Sequence, residues 1–369
     1  MVGAGFAGAT LARSLAEASF EVQVIDRRAH IGGNAFDYVN DQGERVHLYG
    51  PHLLHGRARS KAVEFLSRFA NWVPYRHKVR AYLPPPGGVT VPFPVNTETL
   101  ETVFGVRLQT QAAAATLIEN LRGGGPEKPT NAKQVFLATF GRRLTEIFFL
   151  PYTRKMWGVD AAELDPSIGR RIGLRLDRND DYFDDSFQAL PSNGYTALIG
   201  EMLRHERISV RLEQPFSKPM LHKFAHCFLA IAPDEFFDYR HGRLPYRSIK
   251  FHTRQRTRDQ DAPVVNFTDT SRFTRSTQWD LLPNSRRSNT ASHTVTLEEP
   301  CDPSSAGGEQ HYPLRNRESR RRLNQYRRLA RPFQDKLTFY GRVGLFAYLD
   351  MVPAIELHLK MAAKFAQGR

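Results

Sequence analysis

The chain has 369 residues, 41% hydrophobic and 24% charged, enough to bury a large core and too many for one lobe, since single cores rarely grow past about 250 residues. Its formal net charge of +14 points to anionic partners, and two cysteines, Cys227 and Cys301, without metal-ligand spacing exclude a disulfide scaffold and a cysteine zinc site. No apolar run approaches the roughly 18 to 20 residues that cross a bilayer, so no stable membrane insertion is expected.

The first residues, MVGAGFAGATLARSLAEASF, lack a basic leader and are interrupted by Arg13, which argues against a secretory signal. With two thiols and no such signal, a reducing cytoplasm is the expected compartment. Gly3, Gly5 and Gly8 form G-x-G-x-x-G, a spacing that permits a tight turn and close approach of backbone to a pyrophosphate. ATLARSLAEA then reads as a helix and EVQVID as a strand ending in Asp26, placed to accept from an adenosine ribose. Only Met1 and Val2 precede Gly3, where this fold uses a strand of about five or six residues. A stub is therefore predicted at the sheet centre, from a start downstream of the true one or from a truncated form. RRAHIGGNAFD supplies a second glycine pair, of the kind that lets a chain pass close to FAD.

Residues 57–73 predict an amphipathic helix, and VRAYLPPPGGVTVPFPVN a hairpin with a Pro-Gly turn. From Thr97 to Gly158 the pattern is helical, broken by RGGGPEKPTN. From Tyr246, SIKFHTRQR, PVVNFTD and HTVTLEEP predict an antiparallel sheet with loops at PNSRRSN and CDPSSAGGE. NRESRRRLNQYRRLARPF reads as a solvated basic helix, KLTFYGRVG as a strand entering a glycine turn, and LDMVPAIELHLKMAAKFA as a closing helix. That turn offers Arg342 to a pyrophosphate, with a solvated surface arginine as the bland alternative. The expected architecture is α/β: a Rossmann-like FAD-binding lobe (1–80, 188–238 and 336–369), a helical lobe (97–170), and an antiparallel β-sheet lobe (81–96, 171–187 and 239–335), with substrate in the cleft between them. No metal site is expected.

VGAGFAG, HIGGNAFD, VHLYGPHLLH, FPVN, FFLPYTRKMWG, ELDPSIGRRIGLR, DDYFDDSFQALPSNGYTALI, VVNF followed by FTR, HYPLRN and GRVGLFAYLDM occur in one order over nearly the whole chain. In that order they resemble the UDP-galactopyranose mutase family. The resemblance implies a cytoplasmic isomerase that interconverts UDP-galactopyranose and UDP-galactofuranose, a precursor of surface glycans, with no net redox change. N5 of reduced FAD attacks the anomeric carbon in the implied scheme, UDP leaves, and the ring reopens and recloses as furanose before UDP returns. NAD(P)H serves only as reductant, and the family is often a homodimer.

By motif position the resemblance makes Arg171 and Arg275 the arginines that hold the diphosphate, with Arg170 and Arg272 as adjacent alternatives. Arginine suits this role because it stays charged and binds phosphate through two parallel hydrogen bonds. His55 corresponds to a histidine facing the flavin. Tyr152 and Trp157 would stack on uracil and line the sugar pocket, with Phe148 and Phe149 both core and pocket. Tyr182, Tyr312 and Tyr348 would hydrogen-bond the diphosphate, and Asn96 and Asn266 are the amides near substrate. On the cofactor side stand Gly3, Gly5, Phe6, Gly8, Asp26, Arg27, Gly33, Asn34, Arg342, Asp350 and Met351.

Leu54, Gly56, Ile231, Gln278, His311, Phe346 and Ala347 depart from the family pattern around these positions. Three outcomes stay open: an ordinary mutase, a mutase for a related nucleotide sugar, or a decayed copy. The rivals from other classes are a redox flavoenzyme of the amine oxidase type, a nucleic-acid binder using the basic helix, and a flavin-free scaffold. The phosphate-binding arginines argue against the first, and no nucleic-acid partner is expected.

Overall fold

A computed structural model describes residues 1–84, 87–122, 128–257, 260–285 and 292–368. The loops expected at 84–88, 122–131 and 283–289 fall partly outside the described residues. The chain divides into two compact units, one of residues 1–75, 185–245 and 317–369, the other of 76–184 and 246–316. The stretches read as helical and sheet lobes share the second unit.

In the first unit, Val22–Ile25 pairs in parallel with Ile208–Arg211, and Cys227–Leu229 with Leu337–Phe339. The expected stub joins the two pairs. Val2 bridges Ile25 and Leu229, its N–H donating to the Phe228 carbonyl (2.8 Å) while Ala230 N donates to Val2 O (3.1 Å). Two or three residues thus carry the central strand's hydrogen bonds. Alanines and leucines at helical spacing bury one side of Phe6–Glu17, which packs against the closing helix Met351–Gln367. Leu11, Leu15, Phe228, Tyr340 and Ala362 form the core there.

The helix expected over 57–73 is shorter. Lys61–Leu66 is helical, started by Ser60, whose Oγ accepts from Val63 N. Trp72–Pro74 is instead a strand, paired antiparallel with Phe187–Pro191, which also pairs with Leu54–Gly56. β-Branched and aromatic side chains take whichever pleated surface tertiary contacts offer, and this partner lies far along the chain.

The second unit holds a seven-stranded sheet in the order Tyr312–Pro313, Tyr246–Arg256, His293–Cys301, Arg275–Gln278, Val264–Phe267, Val79–Tyr82, Thr90–Phe93. The sheet is mixed, correcting the antiparallel expectation: Val264–Phe267 runs parallel to Val79–Tyr82. Its longer helices are Thr97–Phe104, Gln111–Leu121, Ala132–Leu144 and Leu150–Trp157, the last two joined by a π turn at Thr145–Phe149. The wide turn carries Phe149 onto Phe136 (4.6 Å between centroids) and Phe140 (4.3 Å), both core residues.

Candidate active site

The first unit's constellation is made of backbone. A Cβ placed on Gly8 would lie 1.8 Å from the Gly3 carbonyl oxygen, and one on Gly33 would lie 2.9 Å from Gly5 Cα. Glycine is the only residue that permits either approach. The second glycine pair docks on the first turn, with Gly5 bridging Gly32 and Gly32 N donating to Ala4 O (2.9 Å). The helix opened by Phe6 has no acid in its first turn and no side-chain cap, so its electropositive end suits a pyrophosphate. These residues fit a bound dinucleotide.

Asp26 is buried and accepts from Ala4 N (2.8 Å) and Arg28 N (3.0 Å), which fixes the carboxylate at the strand end. Arg27 is exposed beside it. Asn34 is held by a residue the sequence reading missed: Arg28 donates to its Oδ1 from both terminal nitrogens (3.1 Å each) and lies over the Tyr49 ring. Tyr340, also missed, donates to Val2 O (2.8 Å) and Gly3 O (3.1 Å), tying the C-terminal glycine turn to the first. Burial pushes its phenol pKa well up, so it remains a donor. Arg342 donates to Leu349 O (2.7 Å) and lies over Tyr348, while Asp350 precedes the helix that Met351 begins without a side-chain cap bond to it.

His55 Nδ1 lies 2.7 Å from Asp185 Oδ2, a partner 130 residues away that motif reading did not assign. The carboxylate makes Nδ1 the proton-bearing nitrogen and fixes the ring plane. Nearby in sequence, His47 is fully buried and its Nδ1 accepts from His52 N (3.0 Å). Burial, with the Arg45 charge, pulls its pKa down to about 3, so this imidazole is neutral.

The second unit's constellation is made of side chains. In register, Arg275 sits opposite Glu298 on one neighbouring strand and Asn266 on the other, so the three share one sheet face. Arg275 Nε lies 3.2 Å from Glu298 Oε2, and Nη2 donates to the Tyr152 hydroxyl (3.2 Å). Glu298 is almost wholly buried, whereas the arginine keeps 26% of its side chain exposed. Burial alone would lower the guanidinium's pKa, but Glu298, with Tyr152, Tyr312 and Tyr182 around it, outweighs that and raises it. The site therefore holds a permanent cation with the Tyr152 hydroxyl bonded to it.

Neighbouring bonds position this cluster. Lys155 Nζ donates to Phe267 O (2.9 Å) and Phe273 O (2.8 Å), clasping the loop before Arg275 to the helix that carries Tyr152. Trp157 meets Tyr312 edge-on at 6.3 Å. Tyr182 is set by its N–H to His77 O (2.7 Å) and by the Lys78–Asp181 ion pair (2.7 Å) one residue before it. Arg171 stands exposed on the turn after Pro166–Gly169, and Arg170 is exposed beside it. Asn96 is wholly buried as the cap of Thr97–Phe104, Oδ1 accepting from Thr99 N (3.0 Å). Phe148 and Phe149 are core residues, 2% exposed each.

The departures divide in the same way. Gln278 lies on the opposite sheet face from Arg275 by strand alternation, bonded to Asp280 (2.9 Å) in a buried network that continues to His293. His311 pairs with Ser248 (2.9 Å). Gly56 packs under Val352, where a Cβ would meet both methyls at 3.2 Å, and Leu54 and Phe346 are buried.

The parallel strands and crossed glycine turns, together with a caged arginine in a mixed sheet, define a mixed α/β protein with a Rossmann-like dinucleotide-binding domain. The model of NAD(P)-binding Rossmann-like domains matches residues 1–69, and that of UDP-galactopyranose mutase matches residues 147–348. A curated protein named as a probable UDP-galactopyranose mutase from Klebsiella pneumoniae is 34% identical over 99% of this chain and 94% of its own. The dTDP-fucopyranose mutase of Escherichia coli is 29% identical over 100% and 98%. A crystal structure of reduced UDP-galactopyranose mutase shares the fold, with a TM-score of 0.75 at 14% identity, covering 100% of this chain and 95% of that one. The chain belongs to the UDP-galactopyranose mutase family.

Proposed function

We propose that this chain is an isomerase interconverting UDP-galactopyranose and UDP-galactofuranose, with FAD on the crossed glycine turns and the UDP diphosphate on the Arg275 cluster. The observation that carries the reading is the Asn266–Arg275–Glu298 row with the Tyr152 hydroxyl on the guanidinium. Bound and reduced by NAD(P)H, FAD would supply the nucleophile for the anomeric carbon. The protein's own task is placement and neutralisation of charge. Arg275 binds the departing diphosphate and keeps it for recombination, with Arg171 as the second cation. Tyr182, Tyr312 and Tyr348 donate to phosphate oxygens, Trp157 stacks on uracil, and Asn96 and Asn266 are the amides near substrate. His55, oriented by Asp185, faces the cofactor. Gly3, Gly5, Phe6, Gly8, Asp26, Arg27, Gly33, Asn34, Arg342, Asp350 and Met351 hold FAD. A cytoplasmic homodimer belongs to the same reading.

The E. coli relative favours a second reading, a mutase for another nucleotide sugar. One assay separates them: purified protein with FAD and dithionite under nitrogen, offered UDP-galactofuranose or dTDP-fucofuranose and followed by chromatography. Turnover of the UDP sugar only when reduced supports the first reading. Preference for the dTDP sugar supports the second, and turnover of neither with flavin bound refutes both.

A further inference from the structure

Lys155 carries a buried ammonium that the proposed reaction does not use. Its side chain is 12% exposed, and burial holds its pKa below the ordinary lysine value although Asp269 pulls the other way. An ammonium has three N–H groups and no acceptor. Here all three find oxygens: the Phe267 carbonyl (2.9 Å), the Phe273 carbonyl (2.8 Å) and Asp269 Oδ1 (3.3 Å). The same Asp269 oxygen accepts from Ser271 N (3.1 Å) and Ser271 Oγ (2.6 Å). Residues 267–273 thus fold around the lysine as a loop folds around a bound cation.

The hairpin closes without that cation. Phe267 N donates to Thr274 O (2.9 Å), Thr268 Oγ1 to Tyr82 O (2.7 Å) and Thr274 N to Glu298 O (2.9 Å). Burying a charge costs more than one further strand bond returns, so closure alone does not account for the lysine. What Lys155 adds is a link to another element. It lies three residues after Tyr152 on Leu150–Trp157, and side chains at that spacing share one face of a helix. Lys155 grips Phe267, next to Asn266, and Phe273, two residues before Arg275, while the Tyr152 hydroxyl accepts from Arg275 Nη2 (3.2 Å). The helix therefore holds the hairpin at its loop and at its guanidinium, with about one turn between the two grips. The two arginines of the segment differ accordingly. Arg275 meets Glu298 and Tyr152, whereas Arg272 is 66% exposed with Nε 3.7 Å from Glu299 Oε2, a side chain on the other sheet face by strand alternation.

We propose that Lys155 is a positioning residue for the isomerase reaction, fixing the loop 267–273 so that Arg275, and not Arg272, is presented to the diphosphate. The role rests on the reading of Arg275 as the diphosphate arginine.

The test is a double-mutant cycle on the full chain loaded with FAD, read as UDP affinity by titration calorimetry, with flavin content and melting temperature taken on the same samples. Lys155→Ala should weaken UDP about tenfold in the otherwise wild-type chain and less than about twofold beside Arg275→Ala, because its effect passes through that guanidinium. Propylammonium, which replaces the missing amine, should restore affinity to Lys155→Ala, and propan-1-ol should not. Asp269→Asn removes the counter-charge without emptying the loop, so it keeps the cycle readable should Lys155→Ala lose its fold; a several-fold loss that vanishes beside Arg275→Ala is expected. Equal losses in both backgrounds, or unchanged affinity in both variants, would overturn the proposal and leave the diphosphate reading standing. No UDP binding by the wild type would instead remove that reading, and this role with it.

Discussion

The two constellations bind by opposite means. The glycine cradle presents main-chain groups and a helix end, and its specificity comes from side chains that are missing: at Gly8 and Gly33 there is no space for a single carbon. The Arg275 cluster presents side chains, and its specificity comes from charge held in place by Glu298 and Tyr152 across a sheet. A backbone site fails through steric intrusion and loses its fold with its ligand. A side-chain site can lose its function while the fold survives.

The largest effect should follow from breaking the cradle. In Gly8→Ala the new carbon meets a carbonyl that cannot rotate away, so flavin absorbance should disappear on gel filtration and about 3 kcal/mol of stability should be lost. Glu298→Ala removes the counter-charge of Arg275 and should cost about 2 kcal/mol by denaturant melt, less than a wholly buried pair because part of the guanidinium meets water. Flavin content should be unchanged, which sharpens the contrast. His47 tests the cradle side through pH. Its folded pKa of about 3 lies below the unfolded value of about 6.5, so its contribution is complete above the unfolded value and is lost as pH falls towards the folded one. The wild type should lose about 2 kcal/mol between about pH 7 and 5 through this group, and His47→Gln should show a flatter melting profile. The smallest effect belongs to Tyr152→Phe, which removes one hydrogen bond to Arg275 and should raise KM for the nucleotide sugar by less than about tenfold.

The same contrast explains what could be read from the chain. The cradle was legible because a turn, a helix and a strand ending in Asp26 are consecutive, and their spacing is written in order. The stub takes the central bonds of the sheet through Met1–Gly3, which pair with Ile25, Phe228 and Ala230. The cluster was legible only through motif likeness. Arg275 acquires its meaning from Glu298 and Asn266, which reach it by strand register, and register depends on which strands pair. The parallel pairing of Val79–Tyr82 with Val264–Phe267 was hidden for the same reason. Trp72–Pro74 was misread because its strand partner begins at Phe187. Asp185, in an acidic run, gave no local sign of its bond to His55.

The most direct test of two separable sites is Arg275→Ala beside the wild type, measuring flavin content and reduced-state turnover of UDP-galactofuranose on the same samples. The account predicts full flavin occupancy with kcat reduced by about 10² to 10³. Turnover at the wild-type rate would contradict it, as would loss of flavin together with activity.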